Sequence, residues 1–151
     1  MSYSLPEFLA HALAMEEEAA ERNLELADMM EAHNNLEVAG IFRDMHRFST
    51  MHRDSIRERI GKIELPQLKS WQYRWVAPTE TGDEDGFDYM MRPHNALKYA
   101  RDNEERAMLF YQAVAAQADD PEVKRLAIEF AEEEKEHTEA LDGWLERVPP
   151  S

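Results

Sequence analysis

The second half of this chain repeats the first. At an offset of 88 residues, Leu9 falls on Leu97, Ala12 on Ala100, Glu16 on Glu104, Ala19 on Ala107 and Ala27 on Ala115. At an offset of 85, Glu37 falls on Glu122, Val38 on Val123, Ile41 on Leu126, Met45 on Phe130, His52 on His137 and Ile56 on Leu141. Any two amphipathic helices give some apolar coincidences. They do not explain a glutamate and a histidine paired at apolar phases. Each half therefore reads as one helical pair that buries its apolar stripe against the other.

Local signals set the helix ends. Ser4-Leu5-Pro6-Glu7 combines a serine cap, a proline in the first turn and a glutamate three residues after the cap. A helix over 5–32 follows, burying Leu9, Ala12, Ala19, Leu26 and Met30, with Glu16 and Asn23 in the gaps of the stripe. Asn34 or Asn35 caps a second helix over 35–60, which buries Val38, Ile41, Met45, His52, Ile56 and Ile60. A third runs over 94–117 and buries Leu97, Ala100, Ala107, Tyr111 and Val114. Asp120-Pro121-Glu122 opens a fourth over 121–147, with Val123, Leu126, Phe130, His137, Leu141 and Trp144 on its buried stripe. The expected fold is all-α: a single antiparallel four-helix bundle spanning residues 1–151.

The segment Gly61 to Pro93 differs. Pro66, Pro78, Gly82, Gly86 and Pro93 forbid a long helix. Trp71, Tyr73, Trp75 and Phe87 argue for an ordered crossover that returns the chain along the bundle. They also offer more aromatic surface than a small bundle covers alone, so a homodimer is expected.

Composition closes several routes. With 17 basic and 32 acidic residues the net charge is −15, which disfavours nucleic acid and anionic membrane surfaces. There is no cysteine, so no disulfide, thiol nucleophile or iron–sulfur centre. No apolar run approaches the ~18 residues of a membrane span. The start, MSYSLPEFLA, lacks a basic stretch followed by an apolar one, so a cytoplasmic protein is expected.

The chemistry lies in the polar residues at apolar phases. Glu16 and Glu104 interrupt the stripes of the first and third helices. Glu134-Lys135-Glu136-His137 puts a carboxylate and an imidazole on one helical face, between Phe130 and Leu141. A buried carboxylate requires a compensating cation. Mixed oxygen and nitrogen donors suit iron, manganese or zinc better than calcium or magnesium.

In these residues the chain resembles the rubrerythrin-type ferritin-like di-iron carboxylate proteins, in which two helices give one Glu each and the other two a Glu-x-x-His. The resemblance covers both helical pairs. It implies Glu16, His52, Glu104, Glu134 and His137 as metal ligands, with Glu134 bridging two irons. It also implies peroxide or dioxygen reduction coupled to Fe(II) oxidation, supplied by an external electron donor. Three features depart from the pattern. Ser49 stands where the second-helix glutamate is expected, leaving five ligands; His46 is the nearest local candidate to substitute, but a partly exposed surface histidine is the expected reading there. Arg101 stands one turn before Glu104, where these proteins often carry another glutamate. The cysteine-bearing rubredoxin module is absent. The alternative reading is a ferritin-like scaffold or interaction protein with a degenerate metal site.

Overall fold

The computed structural model describes residues 3–61 and 92–150. They form four helices: α1 (Leu5–Ala32), α2 (Leu36–Ile60), α3 (Pro93–Gln117) and α4 (Pro121–Arg147). The second and third differ by one residue at their starts from the sequence expectation. Among the described residues no helix is long and apolar enough to cross a membrane.

The caps form as the sequence directs. The Ser4 hydroxyl accepts the Glu7 amide at 3.2 Å, and the Glu7 carboxylate accepts the Ser4 amide at 3.1 Å. Such a reciprocal cap contributes about 1 kcal/mol. The two asparagines between α1 and α2 divide the work. Asn34 takes the left-handed conformation, φ 60°, that turns the chain, and Asn35 accepts the Val38 amide at 3.0 Å. Asp120 accepts the Glu122 amide at 2.8 Å. At the start of α3, Arg92 provides no side-chain cap, and Pro93 fills the first turn, where its missing N–H is no loss.

Two apolar clusters occupy opposite ends of the bundle. One gathers Phe8, Leu9 and Met15 of α1, Ile56 and Ile60 of α2, Phe110, Tyr111 and Val114 of α3, and Val123, Leu126 and Phe130 of α4. The other gathers Leu26 and Met30, Val38, Phe42 and Met45, Leu97 and Ala100, and Leu141. Between them every helix contributes buried polar groups: Glu16 and Asn23, Ser49 and His52, Asn103 and Glu104, Glu134 and Thr138. Trp144, expected on the buried stripe, is only partly buried against the second cluster, because α4 is nearing its end there.

The order of the clusters along each helix gives the topology. α1 and α4 run from the first cluster to the second, and α2 and α3 run the other way. Each hairpin is thus antiparallel, with its two backbones close along their length, while the hairpins meet chiefly through side chains. α2 ends where α3 does not begin, so residues 62–91 connect opposite ends of helices about 37 Å long (25 residues at 1.5 Å each). Those residues lie outside the described ones, and with them the expectations for Trp71, Tyr73, Trp75 and Phe87.

Phe130 ties the first cluster to the polar layer. Its ring lies 5.7 Å from Phe8, 5.5 Å from Tyr111 and, edge to face, 4.6 Å from His52. Phe130→Ala is expected to lower unfolding free energy by about 3–5 kcal/mol in urea denaturation. A loss below about 1 kcal/mol would show that the cluster does not close around this ring.

Candidate metal centre

Each of the five expected site residues sits in the middle of its helix, in the polar layer between the apolar clusters. Glu16, Glu104 and Glu134 are at most 5% exposed, and the His137 side chain is 22% exposed. Among the described residues, two groups have potential ligand atoms within 4.8 Å of one another. One is Glu16, His52 and Glu134; the other is Glu104, Glu134 and His137. Glu134 belongs to both. The first group draws on both hairpins, while the second lies on α3 and α4.

His52 Nδ1 lies 2.9 Å from Glu16 Oε1, and its Nε2 lies 3.0 Å from Glu133 Oε2. His137 Nδ1 lies 3.6 Å from both Glu104 Oε2 and Glu134 Oε2. Neither His52 contact is aligned as a hydrogen bond, and Glu134 Oε2 accepts none. These buried polar atoms lie close together without hydrogen-bond partners. A cation shared among them would satisfy these orphaned atoms. Three carboxylates and two imidazoles fit iron, manganese or zinc.

Ser49 is buried where the repeat puts it, opposite Glu134, and its hydroxyl accepts the Asn23 amide at 3.4 Å. A serine hydroxyl there brings no carboxylate to either group. His46 does not replace it. Its Nδ1 donates to the Ala20 carbonyl of α1 at 2.7 Å, which commits the ring to the α1–α2 contact. Arg101 turns outward, pairing with Asp142 at 2.9 Å and Glu105 at 2.7 Å.

Sequence reasoning missed Glu133, which the run Glu132-Glu133-Glu134 disguised as solvated surface. Its signal was phase: 130, 133, 134 and 137 step along one face of α4. A cleft of about 250 Å³ opens beside the centre, lined by Phe48, Met51, His52, Glu133 and His137. A larger one of about 530 Å³, beside Glu17, Glu21, His46 and Arg53, touches none of the five residues.

Electrostatics set the protonation of the centre. Burial alone would lower the pKa of both histidines, but the carboxylates outweigh it. Glu133 and Glu16 raise His52 to about 10, and Glu104 and Glu134 raise His137 to about 11. Burial raises Glu104, reinforced by the Glu134 charge. Burial likewise raises Glu134, with Glu16 adding to it. The imidazolium groups thus stand in for cations.

The rubrerythrin family profile matches residues 7–82 and 95–151. The chain belongs to the rubrerythrin family. It is also similar to the crystal structure of an uncharacterized conserved protein from Magnetospirillum magnetotacticum MS-1. The two share 60% sequence identity over 99% of this chain and 98% of that one, with a TM-score of 0.85. No curated protein matches. The fold is the ferritin-like four-helix fold of this rubrerythrin family, and its buried Glu and His groups are consistent with a two-metal site.

The pKa directions give a pH dependence with one sign. Raised carboxyls favour folding below the ordinary carboxylate range, and that contribution is lost as pH rises through their raised values. Raised histidines favour folding below about pH 6.5, a contribution lost as pH climbs through about 10 and 11. Metal ions compete for the same atoms, so they gain as the protons leave. The difference in Tm between excess Mn(II) and EDTA is expected to widen steadily from pH 5.5 to 8.5. A difference that stays constant or narrows would contradict this proton–metal competition.

Proposed function

We propose that this rubrerythrin-family protein holds two transition-metal ions, iron in the first instance, and reduces peroxide or dioxygen at the expense of Fe(II). The supporting observation is that Glu134 is common to two Glu/His groups. Glu16 and His52 would hold one ion and Glu104 and His137 the other, with Glu134 between them. Manganese or zinc fits the same donors but lacks the ferrous–ferric couple that the reaction needs. Held there as Fe(II), two ions would supply two electrons, which with two protons would take hydrogen peroxide to two waters or dioxygen to hydrogen peroxide.

The chain's own residues contribute around that chemistry. The carboxylates outnumber the imidazoles three to two, and hard anionic oxygens favour the higher charge of an oxidised metal. The apolar clusters exclude bulk water from both ends. The cleft at His52 and His137, about 250 Å³ in volume, would admit a small oxidant. Each turnover consumes reducing electrons, so an external electron donor belongs to this reading. A homodimer is part of the same reading, resting on the aromatic residues 71–87 of the sequence.

The competing reading, a scaffold with a degenerate site, draws on Ser49. Anaerobic Fe(II) titration followed by peroxide separates the two. Wild type is expected to take up iron and oxidise it faster than free Fe(II), with the ion on the His52 side the weaker. Glu134→Gln should weaken uptake at least tenfold. Ser49→Glu should raise stoichiometry toward two per chain and speed oxidation. No iron uptake by wild type would favour the scaffold. Wild type binding two irons as tightly as Ser49→Glu would overturn the role given to Ser49.

A further inference from the structure

The two histidines of the centre have unlike outer neighbours. His52 presents Nδ1 to Glu16 at 2.9 Å and Nε2 to Glu133 at 3.0 Å. His137 presents Nδ1 to Glu104 and Glu134, and its ring stacks on Phe48, with centroids 5.8 Å and planes 22° apart. The offset that sets Ser49 opposite Glu134 also sets Phe48 opposite Glu133. The same position in the two halves therefore addresses the opposite half's histidine, once with a carboxylate and once with a phenyl ring. The carboxylate falls on the side that Ser49 leaves one ligand short.

We propose that Glu133 is the positioning residue of His52: it holds the Nε2 proton, keeps Nδ1 turned toward Glu16 and Glu134, and supplies from outside the charge that Ser49 does not. A neutral imidazole carries one N–H. An acceptor at Nε2 fixes that proton there and frees the Nδ1 lone pair for the centre. A carboxylate acceptor also makes the ring a stronger donor. The Glu133 side chain is 41% exposed at the mouth of the cleft, so it has room to rotate into line with the Nε2–H. Phe48 gives His137 shape and no acceptor. The two halves thus hold their histidines by different means, and the His52 position depends on a residue outside the five.

The inference rests on the two-metal reading, and the test keeps the two apart. Co(II) is the probe, because its visible bands report ligand geometry and it needs no oxidant. Wild type, Glu133→Ala, Glu133→Asp, Phe48→Ala and His52→Ala are titrated, with far-UV circular dichroism as the folding control. His52→Ala marks which binding phase belongs to that side. Glu133→Ala is expected to weaken that phase ten- to a hundredfold and shift its bands, leaving the other phase unchanged. Glu133→Asp should restore most of the loss, and Phe48→Ala should leave the His52 phase as it was. Glu133→Ala with wild-type affinity and spectrum, or with both phases weakened equally, would overturn the role of Glu133 while the centre stands. Wild type binding no Co(II) would overturn the centre and this inference with it.

Discussion

The constraint on which the rest of this fold depends is the burial of three carboxylates in the middle of a helical bundle. An uncompensated buried charge costs several kcal/mol, comparable with the whole stability of a domain this size. The fold meets that cost in one layer. Glu16, Glu104 and Glu134 are placed against His52 and His137, and apolar clusters close both ends. Because His52 and Glu16 come from one hairpin and Glu134 from the other, the charges that cost most to bury also join the hairpins. Few backbone approaches cross that seam, so its electrostatics matter to the cohesion of the molecule as well as to its chemistry.

Much of this was legible in the sequence because it is local. The capping box at Ser4 and the Asp120-Pro121 start depend on residues within one turn, and both formed. The choice between Asn34 and Asn35 was not settled by sequence, since either residue tolerates either role; the tight turn gave the left-handed conformation to the first. The buried phases of Glu16, Glu104 and Glu134 were readable from helical stepping and from the repeat, and all three are buried. What the sequence hid was lateral. The Glu133 contact with His52 and the Phe48 contact with His137 pass between α2 and α4, and no spacing within one helix records them. His46 is partly exposed as expected, but its partner, a backbone carbonyl on another helix, is recorded by no spacing within α2 either.

The differences between the halves that bear on chemistry lie in this layer. Ser49 faces Asn23 where Glu134 faces the centre, and Phe48 stands where its counterpart is Glu133. The apolar layers differ as well: Phe8 falls on Ala96 and Phe42 on Ala127, all four fully buried, so large and small residues trade places between the halves. Polar exchanges at the centre alter charge and reach with little change in the helices that carry them. The bundle can therefore keep its shape while the two sides of the layer diverge in charge.

The central claim is that Glu134 is shared between two ions. Anomalous diffraction at the iron edge, from crystals of protein loaded with Fe(II) anaerobically, tests it directly. The account predicts two iron peaks flanking Glu134, one beside Glu16 and His52 and a stronger one beside Glu104 and His137. Iron peaks only at surface carboxylates, with none between Glu134 and either histidine, would contradict it.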